Sequence, residues 1–327
     1  MNYLFLYIKF VFFFPIFLVL LIIRIFYKFK ISKIQTNVFG LMLTPIELYL
    51  IEKKNNSLKY NLIWFRDKEI SNNFIFNKWK KKLIILPRHF LEPIYHILSK
   101  YRLFDFFINS YVEQVGNKKR IVYNKTVDDQ NLFVKYKPSI IFDIKEIQKA
   151  ESFLKKNNIN DKKIITFCAR SRYGREKMGK VEDYETTRNS DIDAFTKGLD
   201  YLSKKNYYLL RIGKNQKTKM NYTSEKIIDL ANSYHRSDLL ESYLVSKSKF
   251  MICTNFGANE LAIIFRIKRL ILNFYDFPAL QSQNFFYTPM ILPKFFYALK
   301  DKKELNFQEA FERKLHYIHT IKELNNL

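Results

Sequence analysis

Three apolar runs decide how this chain folds: Ile164-Ile165-Thr166-Phe167-Cys168-Ala169, Tyr207-Tyr208-Leu209-Leu210-Arg211-Ile212 and Phe250-Met251-Ile252-Cys253. None alternates with polar residues as a half-exposed strand would, so each reads as a strand covered on both faces. Each stops at polar or glycine-bearing sequence: Arg170-Ser171-Arg172, Gly213, and Thr254-Asn255-Phe256-Gly257. Helical segments separate them. Lys145 to Lys156 precedes the first run. Ile192 to Lys204 follows Ser190-Asp191, a helix-start pair, and Ser237-Asp238 opens a segment to Ser246. Ile227 to Leu230 adds a short strand, Ala258 to Phe265 a helix and Arg269 to Phe274 a last strand. Repeated strand–helix alternation predicts a doubly wound parallel sheet, placed at residues 141–300.

Working outward, the first half repeats the pattern less clearly. Asn37 to Leu43 reads as a strand, Pro45 to Glu52 as a helix, and Asn61 to Phe65 as a strand. Asn73 to Lys82 reads as a helix, Leu83 to Leu86 as a strand, and His89 to Phe107 as helical. The expectation is a second Rossmann-like domain over 34–140, giving an α/β protein of two doubly wound domains. The tail, 301–327, is expected to carry a helix from Phe307 to Leu324.

Ahead of both domains, Leu4 to Tyr27 is apolar apart from Lys9, Pro15 and Arg24. Its charge-free core, Phe10 to Ile23, is shorter than the roughly 20 residues that span a bilayer unaided, although Lys9 and Arg24 sit where long side chains snorkel. No small-x-small cleavage site follows, only Lys28-Phe29-Lys30-Ile31. Residues 1–33 therefore read as a retained hydrophobic anchor, spanning or interfacial; a helix packed on the soluble body is the alternative. Arg24, Lys28, Lys30 and Lys33 place the body on the cytoplasmic face of the inner membrane.

Bulk composition narrows the partners. The 327 residues carry a net charge of +25 with 32 Phe and 22 Tyr, an excess of lysine and aromatics that AT-rich coding alone favours. The charge suits anionic partners: lipid headgroups, nucleotide phosphates or nucleic acid. No stacking-aromatic motif or recognition-helix pattern supports nucleic acid. The two cysteines, Cys168 and Cys253, lie in apolar runs with no metal spacing, which suits core residues in a reducing compartment.

Ligands of open α/β sheets bind outside the carboxyl ends of the strands. That rule selects Arg170, Ser171 and Arg172 after the first run, Arg211 and Gly213 at the second, and Thr254, Asn255 and Gly257 at the third. Glu260 lies in the helix that follows. An arginine there offers a bidentate phosphate contact, a helix start offers free N–H groups, and Glu260 offers an acceptor for ribose hydroxyls. Asp191 and Asp193 form a D-x-D at a helix start, where capping explains them, so no metal is expected. His89, His96, His235, His316 and His319 form no ligand cluster.

Six stretches, in this order, resemble a family of bacterial glycosyltransferases associated with surface-polysaccharide biosynthesis. They are Phe167-Cys168-Ala169-Arg170, Arg188-Asn189-Ser190-Asp191-Ile192, Leu210-Arg211-Ile212-Gly213, Ile227-Ile228-Asp229-Leu230-Ala231, Arg236-Ser237-Asp238-Leu239-Leu240 and Thr254-Asn255-Phe256-Gly257. The likeness runs from about Asn37 to Phe274, and Arg-Asn-Ser-Asp-Ile with the later Arg-Ser-Asp is its most specific part. It implies the two-domain fold called GT-B, with the donor held by the second domain. Two positions depart from the pattern. Ser171 stands where an acidic residue follows the arginine, and Leu41 after Gly40 stands where the family has histidine.

Taken together, the expectation is a membrane-associated glycosyltransferase without a cofactor. It would move a sugar from a nucleotide-sugar donor to a lipid-linked or surface-polysaccharide acceptor. Arg170 and Arg188 are the candidate catalytic groups; Arg211, Gly213, Thr254, Asn255, Gly257 and Glu260 the candidate donor contacts; and Glu47, Asp183 and Glu185 the candidate bases. The alternative is a non-catalytic, membrane-tethered binder of an anionic glycan or nucleotide.

Overall fold

The structure, a computed structural model, describes residues 3–100, 102–115, 118–171, 189–214, 216, 218–275, 287 and 290–315, with backbone alone at 3–13, 102–104, 112–115 and 118–120. It divides into two compact units, Met1–Thr126 and Val127–Leu327.

Unit 1 is built on a small parallel sheet: β1 (Phe29–Ile34), β2 (Asn61–Arg66) and β3 (Ile84–Ile85), in the order β1-β2-β3. Ile108 makes a parallel bridge to Ile31 on the open side of β1. Successive side chains of β2 point to opposite faces, and each finds a helix. Trp64 meets Tyr49 of α2 (Phe39–Lys54), ring centroids 5.5 Å apart, while Phe65 meets Tyr95 of α4 (Arg88–Lys100) at 5.2 Å. Between them α3 (Asn73–Lys80) starts at Asn72, whose side chain accepts the Ile75 N–H. A hairpin of β4 (Tyr111–Val115) and β5 (Lys118–Val122) follows.

Two sequence expectations are corrected here. Asn37 to Leu43 is not a strand: α2 begins at Phe39, and Met42 through Glu52 are all buried, so packing on both sides hides the helical period. Residues 29–33, counted with the hydrophobic anchor, form β1, with Phe29 and Ile31 in the core. The apolar segment before them is one helix, α1 (Tyr3–Phe26). Among the described residues no helix is long and apolar enough to cross a membrane, so the anchor helix as a spanning element has no support.

Unit 2 contains the predicted parallel sheet. After a short α5 (Leu132–Lys135) come α6 (Ile144–Lys156), β6 (Ile164–Cys168), α7 (Thr196–Lys204), β7 (Tyr208–Arg211) and β8 (Ile227–Ile228). Then follow α8 (Asp238–Lys247), β9 (Met251–Thr254), α9 (Glu260–Ile264), β10 (Arg269–Phe274) and β11 (Met290–Pro293). The six strands lie in the order β11-β10-β9-β6-β7-β8, all parallel. Ile164 and Leu210 pack with Phe153, Leu154, Tyr243 and Leu244 of α6 and α8. Ile165, Phe167 and Leu209 pack on the other face with Phe195 and Leu199. Covering both faces is what made these strands uninterrupted apolar runs. Asp143 starts α6 in a capping box with Glu146, and Ser237 caps α8 by accepting the Leu240 N–H at 3.1 Å.

The two units divide between Thr126 and Val127. Asp128 accepts the Leu132 and Phe133 N–H groups, and the Arg266 guanidinium lies over the Phe133 ring and donates to the Tyr136 carbonyl, tying that stretch to unit 2. The tail helix, α10, is described over Phe307–Glu312, behind a hairpin of β12 (Phe296–Ala298) and β13 (Lys303–Leu305) that the sequence did not signal.

Candidate functional site

Chain order crosses the middle of the unit 2 sheet at one place. From β6 it moves outward through β7 and β8, then returns to the other side of β6 with β9 and continues to β10 and β11. The carboxyl ends of β6 and β9 therefore form the topological switch point, where loops diverge and leave a crevice. Cys168 and Cys253 pair in register across it, both fully buried. Burial pushes both thiols up, Cys253 to about 12, so neither is a nucleophile at neutral pH.

The residues just beyond that pair make the site. The Arg170 N–H donates to Thr254 Oγ1 at 2.9 Å, clipping the two strand ends together. The Ser190 N–H donates to the Arg170 carbonyl at 3.2 Å, and Ser190 Oγ accepts from Asn273 Nδ2 at 3.0 Å. Asn273 belongs to β10, two strands from β6, so Ser190 reaches across the end of β9. The Asn189-Ser190 part of the family-like motif thus lies over the switch point, beside the half-buried Arg170. Asn189 Oδ1 is buried there without a hydrogen-bond partner among the described residues.

On the β9 side, Asn255 and Gly257 border the crevice, and Asn259 Nδ2 donates to Asn255 Oδ1 at 3.3 Å. Below this turn sits Arg269, its side chain fully buried. It donates to Asn259 Oδ1 at 3.0 Å and lies 3.6 Å from Glu260. Burial lowers its pKa, opposed by the Glu260 charge. Sequence reasoning missed Arg269 because it opens a strand rather than closing one.

Several candidates have other duties. Arg211 is 2% exposed, and its Nη1 pairs with Asp229 and the Thr218 carbonyl, each at 2.9 Å. Its Nη2 donates to Gln216 Oε1, which also accepts from Ser171 Oγ, both at 3.3 Å. The Gly213 N–H is taken by Glu241 Oε1 at 2.7 Å. Gly213 has φ +140°, and a Cβ there would meet the Gln216 side chain at 2.5 Å, so glycine serves the turn. Thr254 is 1% exposed and acts as the clip. The helix after Gly257 is shorter than expected, a 3₁₀ turn Gly257–Asn259 followed by the five residues of α9. Its dipole is correspondingly small, and Glu260 is shared with Arg269.

The Arg-Ser-Asp stretch is also architectural. Arg236 Nη2 pairs with Asp238 at 2.8 Å and Glu241 at 2.9 Å. Burial raises the Glu241 pKa against the pull of Arg236 and the Gly213 N–H. The D-x-D pair is tied locally: Asp191 accepts the Asp193 N–H, and Asp193 accepts both the backbone and side-chain N–H of Asn221. Among the described residues no three His, Cys, Asp or Glu side chains could hold a metal. Glu47 is fully buried in α2, and Leu41 lies exposed in its first turn. Arg172, Asp183, Glu185 and the candidate catalytic Arg188 lie outside the described residues.

A separate recess opens past β10 and β11, walled by Phe274, Tyr275, Phe296, Leu305, Phe307 and Phe311. Lys294 lines it, its pKa lowered by burial. No strand-end residue chosen from the sequence lies in it.

No family model matches the chain, and no curated protein matches it. Among solved structures it is similar to a glycosyl transferase family 9 protein of Veillonella parvula, at 14% identity, covering 91% of each chain with a TM-score of 0.44. It is also similar to the ADP-heptose LPS heptosyltransferase II of E. coli, at 11% identity over 91% of this chain and 98% of that one, TM-score 0.45. A third is the iron-containing dodecameric glycosyltransferase TibC of enterotoxigenic E. coli, at 11% identity, TM-score 0.41, covering 81% of this chain and 62% of that one.

Proposed function

We propose that unit 2 binds a nucleotide-sugar donor at the β6/β9 switch point and that the protein is a glycosyltransferase acting on a lipid-linked or surface-polysaccharide acceptor. The observation that carries this reading is the gathering of Arg170, Asn189 and Ser190 over the switch point of an all-parallel sheet. Arg170 is the cation for the leaving diphosphate, with Arg188, one residue before Asn189, as its partner. Asn189, Asn255 and Gly257 supply polar and backbone contacts. Arg269, buried under the Gly257–Asn259 turn, adds positive potential from below. Arg211, Gly213 and Thr254 support these groups from behind. Donor binding requires no cofactor in this scheme.

A thermal-shift series with nucleoside diphosphates and their sugars tests the site directly. A ligand at a hundredfold excess over its Kd stabilises by about 2.7 kcal/mol, a rise of several degrees. Failure of every diphosphate to shift the transition would refute the site. The departures at Ser171 and Leu41 favour one second reading, a binder that holds the nucleotide without turnover. Stabilisation with neither donor hydrolysis nor transfer to any polyprenyl-linked or polysaccharide acceptor would select it.

A further inference from the structure

Helix α1 carries a second surface, apart from the crevice of unit 2. One side of this helix is glued to unit 1: Ile16, Phe17, Leu20 and Leu21 pack against the core around Phe29, Ile31 and Phe107. Arg24 continues the same side. Its guanidinium donates to the Phe29 carbonyl and lies over the Phe106 and Phe107 rings, 5.1 and 5.4 Å from their centroids. It therefore faces the protein rather than reaching outward. The opposite side is apolar too, and bare. Leu18, Val19, Ile22, Ile25 and Phe26 are all exposed, Ile25 at 76% and Phe26 at 85%. Positions 18, 22 and 26 recur every four residues, so they form one ridge along the second half of the helix.

A ridge this continuous is unusual on a protein that meets only water. Its surroundings indicate what covers it. Just past the carboxyl end of α1 the Asn61 N–H donates to the Lys28 carbonyl, which brings the end of the turn that carries Lys59 to this end of the helix. Both lysines are exposed. Lys30 stands next to them, its ammonium over the Tyr60 ring at 4.9 Å. An apolar ridge bordered by cations matches a bilayer surface with anionic headgroups: hydrocarbon receives the side chains, and phosphates meet the lysines.

We propose that α1 lies flat in the plane of an anionic membrane, inner face fixed to unit 1 and outer face sunk among the acyl chains. A helix packed from Ile16 to Arg24 on a folded unit cannot be surrounded by lipid over that stretch, so this contact is one-sided. The inference does not depend on the transferase reading, because lipid binding is measured without turnover.

The test uses the full chain with vesicles of phosphatidylcholine, alone or mixed with phosphatidylglycerol, at low and high salt. The protein should sediment with anionic vesicles and leave them in alkaline carbonate. Ile25→Asp with Phe26→Asp should weaken partitioning at least about tenfold. Lys28→Glu with Lys59→Glu should weaken it about tenfold and flatten the salt dependence. Because a charged ridge could upset folding, the wild-type backbone with Ile22→Cys, labelled by an environment-sensitive dye, gives an independent readout: a blue shift on anionic vesicles. Carbonate-resistant attachment would overturn the in-plane geometry. Unchanged binding by both double variants, or a dye that does not respond, would overturn the surface. So would a stable dimer in solution that Ile25→Asp with Phe26→Asp dissociates while vesicle binding is absent, since a second copy would then be the occupant.

Discussion

The ends of β6 and β7 each deliver an arginine, and the fold uses the two in opposite ways. Arg170 leaves β6 at the switch point, where its backbone is clipped to Thr254 and Ser190 and its side chain stays half-buried at the crevice. Arg211 ends β7, which has β8 on its outer side, and its guanidinium is closed in by Asp229, Thr218 and Gln216. In sequence both are a basic residue closing an apolar run. What separates them is the order of strands in the sheet. A residue at the switch point opens onto a crevice, whereas one next to it is roofed by the loop leading to its neighbour.

The largest expected effect breaks the β7 side. Arg211→Ala removes one partner of a buried pair and leaves the Asp229 carboxylate, 10% exposed, with Met220 N–H and Asn232 as its partners among the described residues. Losing one member of such a pair costs about 3–5 kcal/mol, read as a lowered midpoint in urea unfolding. A loss below about 1 kcal/mol would mean that Arg211 is not structural and would reopen it as a ligand contact.

The β6 side should respond in the opposite sense. Arg170→Ala should cost less stability than Arg211→Ala, because its two described backbone hydrogen bonds survive the substitution. Sugar transfer, or diphosphate binding if the protein is a binder, should fall about 100-fold. Retained turnover would remove Arg170 from the site and with it the functional half of the comparison.

How much of this was legible follows from where the information resides. The unit 2 strands were readable because covering both faces forces uninterrupted apolar runs, and Arg269 to Phe274 matches β10 residue for residue. The same effect obscured α2, since a helix buried all round has no polar face to reveal its period. Ser237 as a cap was readable because capping is local. The roles of Arg211, Gly213 and Thr254 were not. Each depends on a partner 18, 28 or 84 residues away, chosen by strand order rather than by spacing. Gln216, Asn273 and Arg269 carried no local sign for the same reason.

The smallest effect concerns the charge that holds the β7 turn. Glu241 accepts the Gly213 N–H through one oxygen and pairs with Arg236 through the other. Burial nevertheless raises its pKa above the ordinary glutamate value. For a carboxyl raised on folding, the stabilising contribution is fully present below the unfolded pKa of about 4.3 and is lost as pH rises through the folded value. Glu241→Gln removes that titration while keeping a carbonyl oxygen for Gly213. The stability of the variant relative to wild type should therefore improve as pH rises above about 4.3, by no more than about 1.4 kcal/mol per pH unit. Urea unfolding across this range measures it. The opposite trend, wild type gaining on the variant with rising pH, would show that Arg236 outweighs burial and holds the carboxyl low. Neither trend should change the transfer activity of a folded protein, because the β7 end supports the crevice without lining it.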